Sequence, residues 1–336
     1  MSTGIEQVAT QVDRETMMAG YVDRPRLARV KRVPMPEPGP GQVRVRIRGC
    51  GVCASNVPPW EGRSWFRYPM GPGQLGHEGW GVVDRLGAGV TQLDEGQPVA
   101  LLSQNAYAQF DVAEEAAVIP IPAALAEMPL PGEPLGCAMN IWARSQIREG
   151  QTVAIVGAGF LGALLTQLAS KAGANVIAIS RRQYSLEMAE RMGAAEVLPM
   201  GPTWSVVDAV RSLTHGELCD RVIEATGKQE PLELAGEITR ERGRLIIAGF
   251  HQDGPRAVNM QLWNWRGLDV VNAHEREERV YVRGIMAAME AVADGQLDPF
   301  PLYTHRFPLE QLGEALELTR NRPAGFIKAL MLTEQP

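Results

Sequence analysis

Cysteine is scarce in this chain: the 336 residues hold four, Cys50, Cys53, Cys137 and Cys219. So few thiols, so scattered, exclude a disulfide framework and leave reduced thiols or metal ligands. Basic tracts are missing too, and the net charge is −6. Both facts argue against a nucleic-acid or anionic-membrane partner, local basic sites aside. The opening residues, MSTGIEQVATQVDRE, have neither the basic nor the apolar segment of a secretory signal, so the expected compartment is the cytoplasm. Nor is there a membrane-spanning run. Residues 153–169 are uncharged, but the stretch is short and interrupted by Gly157, Gly159 and Gly162, and reads as a buried strand and helix. Internal repeats, low-complexity tracts and long linkers are absent.

What is present suits about two domains with real cores, since hydrophobic residues make up 45% of the chain. The most informative stretch is VAIVGAGFLGALLTQLASKAGANVIAISR, residues 153–181. An apolar strand runs into Gly157-x-Gly159-x-x-Gly162, then a helix, then a second apolar strand, the order of a nucleotide-binding βαβ unit. Gly157 permits the tight turn, Gly159 lets backbone approach a pyrophosphate, and Gly162 lets helix pack on strand. The phosphates would sit on the helix N-terminus, where N–H groups and the dipole favour anions. The second strand ends at Ser180, Arg181 and Arg182, where an NAD site usually offers a carboxylate to the ribose. A hydroxyl and two cations favour the 2′-phosphate of NADP(H); two solvated surface arginines are the alternative.

Along the chain, a Pro/Gly-rich, strand-like region extends to about residue 132, with Val43, Val45 and Ile47 alternating with polar neighbours. From 136 to 296, strands expected at 153–157, 176–180, 221–225, 244–248 and 268–272 alternate with helices. The fold class is therefore α/β: a doubly wound parallel-sheet domain over 136–296, plus a β-rich domain from 1–135 and 297–336. The tail adds a helix near 308–320 and a strand near 326–332 that rejoin the first domain.

The remaining chemistry lies in GCGVCASN, GQLGHEGWGVV and EPLGCAMN, which carry Cys53, His77, Glu78 and Cys137. Thiolate, imidazole and carboxylate are the ligand types of a catalytic zinc. Singly, each has a plainer explanation: a small buried hydrophobe, a satisfied core histidine, a surface charge. Cys50-x-x-Cys53 also fits a redox pair or half of a zinc knuckle, but no second such motif completes a knuckle. Cys50 is therefore read as structural, though able to be oxidised to a disulfide with Cys53.

Taken together, PGPGQVRVRIRGCGVCASN, GHEGWGVVDRLGAGVTQLDEGQPVA, EPLGCA, the Gly157 fingerprint, ATG at 225–227, GRLIIAGF at 243–250 and HRFPLEQLGEALEL with FIKALML resemble a zinc-dependent medium-chain dehydrogenase/reductase of the alcohol and polyol dehydrogenase group. The resemblance spans nearly the whole chain and implies a GroES-like catalytic domain beside a Rossmann domain. It puts Cys53, His77 and Cys137 on catalytic zinc ligand positions and Glu78 on the carboxylate that ligates or approaches the metal. Glu133 falls where polyol dehydrogenases hold the metal-bound water. Ser55 falls where a hydroxyl meets the substrate oxygen; a turn residue bonding its own backbone is the alternative. Leu161, Gly249 and His274 complete the expected nucleotide contacts.

Three departures from the family pattern matter. No cysteine lies between 53 and 137, so a second, structural zinc is not expected and one zinc per chain is. Asn56 and Pro58 replace an Asp and a His, so a histidine-ended proton relay does not carry over. Ser185 stands where NAD users often place a basic residue. Trp60, Trp65, Phe66, Asn140 and His274 sketch a pocket for a polyol, sugar or cyclitol, with the aromatics equally able to fill core. The expected activity is hydride transfer between NADP(H) and a secondary alcohol or its ketone. The alternatives are a zinc-free quinone or enone reductase of the same superfamily and a non-catalytic nucleotide-binding protein. The strand at 268–272 could pair two copies into a homodimer or homotetramer.

Overall fold

The computed structural model describes residues 16–333; the absent secretory signal read at 1–15 lies outside the described residues. The chain divides into two compact units, one running up to Pro134 and resuming at Tyr303, the other Leu135–Leu302.

In the first unit, β1 (Thr16–Arg24) and β2 (Leu27–Pro34) form an antiparallel ribbon. A seven-stranded sheet follows from β3 (Gln42–Val52), β4 (Gly79–Leu86), β5 (Pro98–Leu101), β6 (Phe110–Glu114), β7 (Val118–Pro120) and two strands from the end of the chain, β14 (Tyr303–Pro308) and β15 (Lys328–Leu332). The expected alternation holds in β3, where Val43, Val45 and Ile47 enter the core. Arg44 between them is buried as well, because its guanidinium meets Asp84 at 2.6 Å and Glu37 at 2.9 Å. β15 pairs antiparallel with β3, setting Leu330 opposite Gly51 and Met331 opposite Cys50. The tail thus rejoins the first unit. Its helix starts at Leu312 rather than 308, after a 3-10 turn over Leu309–Gln311.

The second unit is built on a six-stranded parallel sheet in the order β10 (Glu196–Pro199), β9 (Asn175–Ser180), β8 (Thr152–Val156), β11 (Cys219–Glu224), β12 (Thr239–Ile247) and β13 (Asp269–Asn272). Covering layers on both faces explain the continuous apolar runs. In β8, Ala154 and Val156 enter one core cluster, while Val153 and Ile155 enter another. Strand order reverses between β8 and β11, so the gap beyond their carboxyl ends is the topological switch point. β10 went unread in the sequence because EVLP is four residues at a sheet edge with two apolar side chains. Among the described residues, no helix is long and apolar enough to cross a membrane.

Candidate active site

In the first unit, ligand atoms of Cys53, His77 and Glu78 all lie within 4.8 Å of one another. Cys53 is placed by the exit of β3, where extended backbone gives way to a 3-10 turn over Ala54–Asn56. His77 and Glu78 are held just before β4 by the GQLGH segment. Gly76 has no room for a Cβ against the backbone of Ala106 and Tyr107, and Leu75 takes a positive φ of 82°. That turn aims the Leu75 carbonyl at His77, whose Nδ1 donates to it at 2.9 Å. Nε2 is then the nitrogen turned to the cluster, the usual orientation of a ligating imidazole once a metal displaces its proton. Burial pulls the His77 pKa down, but the hydrogen bond and charge of Cys53, with the charges of Glu133 and Glu78, outweigh it and push it up to about 10. Surroundings that hold a proton so firmly also favour a metal cation.

Glu78 is fully buried, and the sequence reading missed its partner. Lys328 Nζ, at the start of β15, lies 2.6 Å from Oε1 and 2.5 Å from Oε2. The ammonium thus engages both carboxylate oxygens, and because each ionised oxygen accepts about two bonds, lone-pair capacity remains for a metal. Gly51 makes the pairing possible, since a Cβ there would collide with Glu78 and crowd Lys328 Cε at 3.1 Å. Burial would discharge the lysine; the charge of Glu78, then that of Cys53, holds its pKa above the ordinary value. Glu133 acts electrostatically on both His77 and Lys328. Ser55 Oγ sits 3.5 Å from His77 Nε2. Behind them, Asn56 Nδ2 donates to the buried Tyr107 hydroxyl at 2.7 Å, and that hydroxyl donates to Gly51 O at 3.3 Å. Cys50 is buried and free; burial and the charge of Glu78 push its thiol well up, in keeping with a packing role.

Of the three aromatics in the 60–66 stretch, two take the core alternative. Trp60 is a core residue, 3% exposed, with its indole N–H on Glu317 at 2.7 Å, so it anchors the tail helix. Phe66 packs against the same core, and Trp65 is exposed.

In the second unit, the three fingerprint glycines have separate geometric causes. Gly157 has φ +109° and would set a Cβ 2.5 Å from Thr226 Cγ2. Gly159, which precedes the helix Phe160–Lys171, would meet nothing within 4 Å, and no side chain caps that helix. Gly162 is pressed against the Gly157 carbonyl. Leu161 is half-buried in the helix's first turn. At the end of β9, Ser180 is buried, Arg181 exposed and Arg182 half-buried. Ser185 is fully buried on the helix Gln183–Arg191 and presents nothing to a solute. Gly249 is required by close packing on Gly227 and Glu224. His274 stacks on Phe250, centroids 5.2 Å apart at 18°; partial burial, then Arg276, lowers its pKa.

Cys137 belongs to the helix Gly132–Ser145, one turn beyond Glu133 on the same face, with Sγ donating to the Tyr281 hydroxyl at 3.4 Å. It is not among the three clustered ligands of the first unit. Asn140, one turn further, is buried against Gly284.

Two family profiles match in chain order: an alcohol dehydrogenase GroES-like domain over residues 39–123 and a zinc-binding dehydrogenase over 161–289. The chain belongs to the zinc-dependent medium-chain dehydrogenase/reductase family, and it is an oxidoreductase of the alcohol and polyol dehydrogenase group. It is 28% identical to sorbitol dehydrogenase of Gallus gallus over 90% of this chain and 93% of that one. It is also 28% identical to 2-dehydro-3-deoxy-L-galactonate 5-dehydrogenase of Pseudoalteromonas atlantica, over 59% of this chain and just 56% of that enzyme's length. A Sinorhizobium meliloti structure with NADP bound superposes at TM-score 0.82 with 24% identity, covering 94% of this chain and 99% of that one.

Proposed function

We propose that this protein is a zinc-dependent, NADP(H)-preferring dehydrogenase that interconverts a polyhydroxylated secondary alcohol, of the polyol, sugar or cyclitol class, with its ketone. The observation that carries this reading is the cluster of thiol, imidazole and buried carboxylate, mutually within 4.8 Å. That donor set fits one zinc. Cys53, His77 and Glu78 would hold it, with Cys137 as a further ligand on the strength of the sequence resemblance. When bound, the metal supplies Lewis acidity to the substrate oxygen and the nicotinamide exchanges the hydride. The chain's own residues do the rest. Ser55 would hold the proton of the reacting hydroxyl beside His77, and Glu133, whose charge reaches His77, would accept the proton of a water, on the strength of the sequence resemblance.

Support for the 2′-phosphate comes from Arg181 and Arg182 at the end of β9, beside Ser180 and without a carboxylate there. The polyol class is supported by the names of the relatives above, and the cytoplasm by four free thiols. β13 is the outer strand of its sheet with Val270 exposed, which favours pairing of two copies through that edge.

The test is zinc content of protein purified without added metal, followed by polyol oxidation with NADP and NAD. One zinc per chain and faster turnover with NADP are expected. Replacing both Arg181 and Arg182 by Ala should weaken NADPH binding about 10- to 100-fold and leave NADH within about threefold. Metal-free protein after zinc is offered, or an unchanged NADPH-to-NADH ratio, would sink the corresponding half of the reading.

A further inference from the structure

Beyond the glycine turn, the other wall of the switch-point gap is the loop leaving β11, Ala225–Lys228, since a Cβ on Gly157 would touch Thr226. That wall is built on one fully buried carboxylate. Glu224 Oε1 accepts from Thr226 N at 2.7 Å, from the Thr226 hydroxyl and from Gly227 N at 2.9 Å. Its second oxygen is taken by His251 Nε2 at 2.9 Å, from the loop leaving β12. Arg256 Nε donates to His251 Nδ1 at 2.9 Å, and Arg256 Nη2 returns to the Gly227 carbonyl at 3.0 Å. The ring is closed, and its direction is fixed. Because Nδ1 accepts, Nε2 bears the proton and donates to Glu224. Lys228 Nζ meets Asp253 Oδ2 at 3.3 Å, and Asp253 also pairs with Arg256. Two bonds between Gln229 and Ala257, at 2.8 and 3.0 Å, add a second stitch between the same loops.

We propose that Glu224, His251 and Arg256 are positioning residues that fix this wall against the glycine turn and thereby set the affinity for the nicotinamide dinucleotide. The inference rests on the nucleotide reading above and deepens it. His251 also anchors its neighbour Phe250, which is 50% exposed and carries the stacked His274. Loosening the relay therefore frees both loops at the carboxyl edge while leaving the three-residue cluster of the first unit untouched.

The experiment titrates the full chain with NADPH, followed by fluorescence, and measures turnover at saturating nucleotide. His251→Leu removes both bonds and leaves one oxygen of a buried carboxylate without its donor. His251→Gln can donate and accept as the imidazole does. His251→Leu should weaken NADPH binding about tenfold, with kcat at saturation and the Kd of His251→Gln both within about threefold of wild type. Arg256→Met, at a half-buried position, should weaken binding in the same direction and serves if the Leu variant does not fold. Wild-type affinity in both deleting variants, or equal loss with Leu and Gln, would reduce the relay to a structural role and overturn the proposal. If wild-type protein binds neither NADPH nor NADH, the nucleotide reading itself fails and takes the relay with it.

Discussion

Glu78 and Glu224 are both fully buried, one in each unit, and they are neutralised in opposite ways. Glu78 faces a buried ammonium at 2.5–2.6 Å amid a thiol and an imidazole. Glu224 has no lysine or arginine on it; two backbone N–H groups, a hydroxyl and a histidine N–H consume its lone pairs. A carboxylate satisfied by fixed dipoles is immobile and serves as architecture. A carboxylate balanced by a single cation keeps unused capacity, because each ionised oxygen accepts about two bonds. The first unit thus concentrates charge where a metal can share it, whereas the second spends a charge to make a rigid wall.

The sharpest way to break this contrast is Cys53→Ser. Zinc content should fall below stoichiometric and turnover should drop about 1,000-fold or more, as expected when Lewis acidity worth several kcal/mol is lost. NADPH binding should stay within about twofold, since the nucleotide contacts proposed above all belong to the second unit. A parallel collapse of nucleotide affinity would show that the two regions cannot be separated in this way.

Lys328→Met comes next. Removing the cation leaves Glu78 buried and uncompensated, a loss of about 3–5 kcal/mol. Melting should fall by roughly 6–15 °C, and adding Glu78→Gln to the same chain should restore most of it. Glu224→Gln keeps the shape but sets its NH2 against the His251 N–H, losing that bond along with the charge, and should cost less, about 1.5–3 kcal/mol. If Lys328→Met and the double variant melt together, Glu78 is not the residue that makes Lys328 necessary.

These two glutamates also mark where reading the sequence stops. Strands β8, β9, β11 and β12 were legible because both faces are covered and their apolar runs are unbroken. The glycine turn was legible because strand and helix flank it at fixed spacing. Cys53, His77 and Glu78 stood out by ligand chemistry. Their stabilising partner did not, since Lys328 lies 250 residues from Glu78 and pairs with it only because β15 is laid beside β3. The one available signal was a lone lysine in the apolar strand FIKALML. His251 reads as an ordinary loop residue until β11 and β12 are adjacent. The choice between core and pocket for Trp60 stays open in the sequence for the same reason: its indole partner, Glu317, is 257 residues away.

The smallest expected effect separates the rim of the second unit from its buried relay. The hydrogen bond from Arg256, with the charge of Lys228, holds the Asp253 pKa down from 3.8 to about 2. A carboxyl depressed in the folded state stabilises it above its unfolded pKa, and that contribution is lost as pH falls through the folded value. Asp253 should therefore contribute fully above about pH 4 and progressively less down to about pH 2. Since the side chain is partly exposed, the contribution should stay below about 1 kcal/mol and shrink further in high salt. The difference in urea midpoint between wild type and Asp253→Asn, compared at pH 5 and pH 3, should narrow at the lower pH. A difference that is independent of pH over that range would mean that Asp253 acts by packing or backbone geometry, and that the charge at this rim, unlike that at Glu78, contributes nothing measurable.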